Sequence, residues 1–113
     1  MTKAGDGEYV VLFITTGTEE EARRISLVLL EQRKAACVNI IPRVGSLYRW
    51  KGRIESTDES LMVVKTRASL AEEVIGLAKG AHSYEIPEII ALPIVAGNPD
   101  YLKWLGGETV KEG

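Results

Sequence analysis

Apolar and polar positions along the chain alternate between strand and helix patterns. Residues 9–14 are all apolar and mostly β-branched or aromatic, which predicts a strand buried on both faces. Thr18 and Glu21 then supply the hydroxyl and the carboxylate of a capping box, so a helix should begin there and run to about Lys34. A second, largely apolar run over residues 35–41 predicts another strand.

A long hairpin follows this second strand. Proline cannot donate a ladder hydrogen bond, so we expect the strand to end at Pro42 in an edge, a bulge or a bend. Two alternating runs then flank Lys51–Gly52, and Gly52 can adopt the positive φ of a tight hairpin turn. This turn predicts four facing pairs: Trp50 with Arg53, Arg49 with Ile54, Tyr48 with Glu55, and Ile40 with Val63.

The hairpin is longer and more apolar than a free ribbon should be. From Val44 to the turn it projects about 25 Å, whereas a usual strand spans about 17–20 Å. An isolated two-stranded ribbon is not stable in water, and this one carries five large apolar side chains: Val44, Leu47, Tyr48, Trp50 and Ile54. Another copy of the chain is the nearest surface for them, which predicts a homo-oligomer with interlocked hairpins.

The rest of the chain repeats the alternation of helix and strand. Ser69–Glu72 holds a second hydroxyl and carboxylate cap, and the helix that follows should end at Gly80. Residues 86–97 predict a fourth strand, interrupted by two prolines. Asn98–Pro99 supplies an N-cap and a first-turn proline for a short final helix, which Gly106–Gly107 should stop.

These elements together predict the fold class. Strand, helix, strand, twice over and joined by a hairpin, is the α+β arrangement of the ferredoxin-like split βαβ sandwich. Its special features here are a long hairpin between the second and third strands and a short C-terminal helix. No linker or low-complexity segment interrupts the chain, so a single domain should span residues 1–113, with its core at about residues 8–105.

Composition restricts the classes of function. A content of 45% apolar and 27% charged residues, with a net charge of -2, is that of a soluble globular domain. The slightly acidic balance, without a block of Lys or Arg, argues against nucleic acid as a partner. We find no secretory leader or membrane span, and a single cysteine suits a reducing compartment. We therefore expect a cytoplasmic protein with no membrane partner.

His82, the only histidine, is the first candidate for chemistry. Glu85 and Glu88 follow it closely, and an imidazole with carboxylates suits a borderline ion such as copper(II). Cys37 is a further donor, although its apolar strand is more typical of a small buried hydrophobe. One Cys and one His cannot close a four-ligand zinc site, so a neighbouring subunit would have to contribute. The other interpretation is that His82 hydrogen-bonds a carbonyl and fastens the loop.

A second candidate site combines aromatic and charged residues of the hairpin with residues near the fourth strand. Its members are Tyr48, Trp50, Glu59, Lys65, Arg67 and Tyr84, with Glu88 beside them. Aromatic walls with a few convergent charges suit a small-molecule cleft between subunits. The alternative, which we favour, is that Tyr48 and Trp50 anchor a subunit interface and the charges form its solvated rim.

Several long stretches of the chain resemble one protein family. The runs AACVNIIPRVGSLYRWKGRIE, VVKTR, HSYEIPEII and GNPDYLKWL have the order and spacing of the CutA divalent-cation tolerance family, over about Tyr9–Leu105. The resemblance implies a ferredoxin-like fold and a homotrimer whose hairpins wrap neighbouring subunits. It also implies an association with copper and other divalent metals, and a shape like that of the trimeric PII signalling proteins. It implies no established enzymatic reaction.

The chain departs from many members of that family in the connector around its histidine. Where they have His-Pro-Tyr, this chain has His82-Ser83-Tyr84, so the connector loses a φ restraint and gains an amide donor. Some bacterial relatives carry a cysteine near the end of the first strand, where this chain has Thr15 and Thr16. A site of imidazole and carboxylate with modest affinity is therefore favoured here over a thiolate site for copper(I).

The sequence thus predicts a trimeric, non-enzymatic protein that binds copper(II) or another divalent cation weakly, with no obligatory cofactor. A second hypothesis is a PII-like signalling or scaffold trimer whose cleft binds a small anion through Lys65 and Arg67. Two others are a trimer with a mainly structural role and an enzyme that uses Cys37 and His82. No nucleophile motif or phosphate-binding loop surrounds the last pair.

Overall fold

Four strands and three helices make up the part of the chain that the structure, a computed structural model, describes: residues 8–109. In chain order they are β1 (Tyr9–Thr16), α1 (Glu19–Glu31), β2 (Cys37–Trp50), β3 (Arg53–Arg67), α2 (Ala71–Ala81), β4 (Ile89–Pro93) and α3 (Pro99–Glu108). A 3-10 turn at Ala68–Leu70 leads into α2.

The strands form one antiparallel sheet in the order β2-β3-β1-β4. With α1 between β1 and β2 and α2 between β3 and β4, this order is that of the predicted ferredoxin-like split βαβ fold. The core lies between the sheet and helices α1 and α2. Its fully buried side chains come from the central strands β1 and β3 and from helices α1 and α2: Leu12, Ile14, Ile25, Leu29, Met62, Val64 and Val74.

The opposite face of the sheet, here called the second face, is also apolar. Successive strand residues point to opposite faces, and directly paired residues share a face. Phe13 of β1 pairs with Val63 of β3 and with Ile90 of β4, which places all three on the second face. Helix α3 covers one end of this face, whereas Ile90 and Leu92 remain 48% and 43% exposed.

The hairpin turn has the predicted geometry. Lys51 and Gly52 adopt φ of 51° and 79°, both in the left-handed region that a two-residue turn requires. The three predicted pairs nearest the turn are confirmed: Trp50 with Arg53, Arg49 with Ile54, and Tyr48 with Glu55.

A β-bulge at Pro42 changes the register further down the hairpin. Pro42 and Arg43 together face Ser60, whose hydroxyl donates to the Pro42 carbonyl at 2.7 Å. The predicted bulge is therefore confirmed, but β2 continues through it to Trp50 instead of ending there. The extra residue shifts the pairing by one, so Ile40 faces Met62, and the predicted pairing of Ile40 with Val63 is wrong.

Helix α1 begins as predicted and ends earlier than Lys34. The Thr18 hydroxyl accepts the Glu21 amide, which confirms the cap. Arg33 closes the helix in a Schellman motif with φ of 58°. Its guanidinium donates to the Gly107 and Glu108 carbonyls of α3, bonds that offset the strain of a left-handed residue with a side chain.

The later elements differ from their predicted ends. The N-cap of α2 is Leu70, because the 3-10 turn precedes it, so the predicted cap at Ser69 is wrong; the helix ends at Ala81, one residue past Gly80. Strand β4 covers only part of residues 86–97. The cap of α3 at Asn98 is confirmed, since its side chain accepts the Asp100 amide.

Helix α3 runs through Gly106–Gly107 to Glu108, so these glycines do not stop it. Gly106 has a packing reason instead. A Cβ on this residue would lie 2.7 Å from the Tyr9 hydroxyl oxygen, so any other residue type would displace the Tyr9 side chain. Helix α3 can therefore approach the ends of β1 and β3 closely.

Candidate functional site

His82 is tied to the chain through both of its ring nitrogens. Its side chain is fully buried directly after α2. Nε2 lies 2.7 Å from the Thr15 carbonyl oxygen, and Nδ1 accepts the Tyr84 amide at 3.0 Å. A carbonyl can only accept, so Nε2 carries the proton and Nδ1 offers its lone pair to Tyr84. This arrangement matches the interpretation in which His82 fastens the loop to the end of β1.

Glu21 is the partner of this connector that sequence reasoning missed. Its carboxylate accepts the Gly17 amide at 3.3 Å, the Ser83 amide at 2.6 Å and the Ser83 hydroxyl at 3.0 Å. The His82 Nδ1 lies 3.7 Å from Oε2. The amide donor predicted from Ser83, where many relatives have proline, is thus present and used. The capping pattern identified Glu21 as a cap, but nothing local indicated its reach to residue 83.

The electrostatics of Glu21 follow from these contacts. Burial raises the pKa of the carboxyl, but the two hydrogen bonds from Ser83, the nearby His82 and the Gly17 amide together outweigh burial. The pKa of Glu21 therefore lies below its ordinary value. Glu21 is ionised at neutral pH and joins the start of α1 to the connector after α2.

A groove of about 690 Å³ opens beside this connector, between it and the hairpin. Its aromatic and acidic lining residues are Tyr48, Trp50, Glu59, Tyr84, Glu85 and Glu88, and we call it the aromatic-acidic groove. The fold therefore brings together four of the six residues predicted for the cleft. Glu88, predicted beside the cleft, also lines the groove, and the fold adds Glu85; the sequence assigned both to the metal site with His82.

Tyr84 and Glu59 are joined within the groove. The Tyr84 hydroxyl donates to Glu59 Oε2 at 3.0 Å. Burial, followed by the bond to Glu59 and its charge, raises the pKa of Tyr84 to about 12. A Cβ on Gly17 would lie 3.2 Å from the Tyr84 oxygen, so the ring is packed closely against the end of β1.

We expect Glu59→Gln to lower the pKa of Tyr84 from about 12 towards its ordinary value of 10.0. The amide removes the negative charge beside the phenol, while burial remains, so the pKa should fall only part of the way. The measurement is absorbance at 295 nm during alkaline titration, with the Tyr84→Phe variant subtracted. Exposed Glu72→Gln should leave the value unchanged, and an unchanged value in Glu59→Gln would contradict the prediction.

Lys65 and Arg67 lie away from the groove. Each strand residue advances about 3.3 Å, so they are about 20 Å or more along β3 from Glu59. The Lys65 ammonium contacts the side chain of Asn39. The Arg67 guanidinium donates to the Gly106 carbonyl and, at 2.9 Å, to the Thr109 hydroxyl. The cleft predicted from sequence thus divides into an aromatic-acidic part and a distant basic part.

Cys37 is likewise separate from His82. It is half-buried and pairs with Lys65, whose ammonium lies 3.9 Å from its sulfur. Lys65 pairs in turn with Val11, four residues or about 13 Å along β1 from the Thr15 carbonyl that holds His82. Burial, together with the neighbouring Cys37, raises the pKa of Tyr101 on α3.

The described residues of one chain do not form a closed metal site. Within residues 8–109, no group of three or more His, Cys, Asp or Glu side chains is arranged to hold an ion. Both nitrogens of His82 are engaged and Cys37 lies apart, so Glu85 and Glu88 are the remaining donors of the predicted set. No helix in the same range is long and apolar enough to cross a membrane.

Comparisons with known proteins agree with this fold. The family model of the CutA1 divalent ion tolerance protein matches residues 10–108. The divalent-cation tolerance protein CutA of Thermus thermophilus is 46% identical over 99 residues, which cover 88% of this chain and 96% of that protein. The crystal structure of CutA1 from Oryza sativa superposes with a TM-score of 0.90 at 37% identity, covering 93% of this chain and 96% of the other.

Relatives from animals are longer. Mouse protein CutA is 43% identical over 99 residues, which cover 88% of this chain but only 56% of the mouse protein. The chain thus spans little more than half the length of that relative. The matched region contains the aromatic-acidic groove and every described strand and helix except Tyr9, the first residue of β1, and this chain belongs to the CutA1 divalent ion tolerance family.

Proposed function

We propose that this protein is a homotrimeric, non-enzymatic binding protein for divalent cations, with modest affinity for copper(II) or a similar ion. The observation that carries the proposal is the convergence of Glu59, Glu85 and Glu88 on one groove in a chain of this family. Carboxylate oxygens bind divalent ions broadly, and copper(II) leads the affinity order among first-row metals. Such a site needs no preformed thiolate.

Exposed apolar surface supports the assembly. Leu47 and Ile54 on the hairpin are 75% and 71% exposed, and Ile90 and Leu92 on the second face are 48% and 43% exposed. Large apolar side chains exposed both on a protruding hairpin and on a sheet face favour burial against other chains. Copies of the same chain are the partner that the protruding hairpin fits, and the family resemblance implies three of them.

The assembly also bears on the ion. One chain offers carboxylates but no closed group of ligands within the described residues. We propose that Glu85 and Glu88, both exposed at the connector, bind the ion together with donors from a neighbouring subunit. His82 holds the connector in position, and Cys37 has no part in the site.

The PII-like alternative, a small anion in the cleft, receives less support. Lys65 and Arg67 were the cations that motivated it, and both lie outside the groove. We keep the proposed location as cytoplasmic, on the basis of the unpaired cysteine. Relatives named chloroplastic and periplasmic show that location differs within the family.

Calorimetric titration with copper(II) tests the ligand assignment. We expect Glu85→Gln and Glu88→Gln each to weaken binding at least about tenfold, because each removes a charged oxygen donor. Cys37→Ser and Glu72→Gln are the matched controls and should bind as the wild type does. If only a folded His82→Ala variant lost copper binding, while both carboxylate variants kept it, the ligand would be the His82 imidazole. Unchanged binding in both carboxylate variants would contradict the proposal.

A further inference from the structure

The aromatic-acidic groove has one sign of charge. Three carboxylates line it, at Glu59, Glu85 and Glu88, and no Lys or Arg is among the described residues that line it. Grooves of one charge attract ligands of the opposite charge, because low-dielectric walls concentrate the field. The ligand should therefore be a cation.

The aromatic residues restrict the ligand further. Tyr48, Trp50 and Tyr84 line the same groove, and aromatic ring faces attract ammonium groups within about 6 Å. The chain already shows this interaction at its edge, where the Lys51 ammonium lies 5.9 Å from the centre of the Trp50 ring. The Tyr84 hydroxyl donates a hydrogen bond to Glu59, which fixes both side chains within the groove.

The carboxylates of one chain suit an organic cation without donors from a neighbouring subunit. A metal ion requires several donors within one coordination sphere, and the described residues of one chain have no such group. Ammonium groups on a flexible chain need no common centre, because each can meet a different carboxylate. Exposed Leu47 and Ile86 line the groove as well and offer apolar contact to methylene groups.

The size of the groove is suitable. Small-molecule sites usually enclose about 300–1,000 Å³, and this groove has about 690 Å³. We propose that the aromatic-acidic groove binds a small aliphatic ammonium compound, with its charged ends on the carboxylates and aromatic rings and its methylenes on Leu47 and Ile86. The proposal uses the same groove as the proposed function, but it does not depend on metal binding.

Three probes of equal chain length and different charge test this proposal. They are protonated 1,4-diaminobutane, neutral 1,4-butanediol and the dianion succinate, each titrated calorimetrically into the metal-free, full-length assembly. We expect the diammonium to bind at least about tenfold more tightly than the diol, and succinate not to bind. The affinity of the diammonium probe should fall as the salt concentration increases, because exposed charges are screened.

Variants locate the site. Glu59→Gln and Glu88→Gln should each weaken diammonium binding at least about tenfold, whereas exposed Glu72→Gln should leave it unchanged. Trp50→Phe reduces the aromatic face and should weaken binding by a smaller factor while leaving the carboxylates in place. A circular dichroism melt of each variant verifies that it is folded.

The outcomes separate this proposal from the proposed function. Diammonium binding without copper binding supports the organic cation and removes the metal site, and copper binding without diammonium binding does the reverse. Equal affinity for the diol, tighter binding of succinate, or no binding of any probe overturns the proposal. The last result is also the one expected if a neighbouring subunit fills the groove.

Discussion

Ile90→Asp is expected to convert the proposed trimer into monomers. Ile90 lies on the second face beside Phe13, with 48% of its surface exposed in the single chain. If the second face packs against other copies, the substitution buries an unpaired carboxylate in each subunit interface. Each such charge costs several kcal/mol, and a trimer contains three of them. Sedimentation velocity should show a fall from three chain masses to one.

Leu27→Asp is the matched control for this experiment. Leu27 is 56% exposed, but it lies on α1, on the other side of the molecule from the second face. The same change of residue type there should leave the assembly at the wild-type mass. A wild-type protein that sediments as a monomer would contradict the trimer itself. An Ile90→Asp variant that remains fully associated would contradict the use of the second face.

The sequence predicted most of the elements and the fold because these depend on local patterns. The cap at Thr18, the turn at Lys51–Gly52 and the register near the turn all follow from residues close together in the chain. The register failed at Ile40, beyond the bulge. One extra residue at Pro42 shifts every pair that lies farther from the turn than the bulge. A proline indicates a bulge but not the number of extra residues in it.

The candidate site was predictable only in part, for a related reason. Tyr48, Trp50 and Glu59 share one side of the hairpin through alternation and register, and Tyr84 joins them from the connector through its hydrogen bond to Glu59. Lys65 and Arg67 share the alternation but lie far along β3, and residue type alone could not exclude them. The bond between Glu21 and Ser83 joins residues 62 positions apart, so only the packing of α1 against the connector reveals it.

Glu21→Ala is expected to lower the stability of the fold, because it removes this bond between Glu21 and Ser83. The substitution removes the acceptor for the Gly17 amide, the Ser83 amide and the Ser83 hydroxyl, at a site where Glu21 is only 8% exposed. These bonds are only partly buried and Ser83 is exposed, so water can replace some of them, and the free energy of unfolding should fall by about 1–3 kcal/mol. Urea unfolding at a fixed protein concentration measures it, since association contributes to stability.

Glu20→Ala is the matched control, because Glu20 is an exposed carboxylate in the same first helical turn. It removes equal charge near the helix N-terminus, where the cost is at most about 1 kcal/mol. Equal losses in the two variants would show that Glu21 acts through helix charge alone and would remove the connector from the explanation.

The pH dependence separates the charge of Glu21 from its shape. The folded-state pKa lies below the ordinary value of 4.5, so ionised Glu21 stabilises the fold. That contribution is fully present above the unfolded pKa and is lost as pH falls through the folded pKa. The stability difference between the wild type and Glu21→Gln should therefore be constant above about pH 5 and shrink below 4.5. A difference independent of pH down to 2 would mean that the hydrogen bonds of Glu21 do not require its charge.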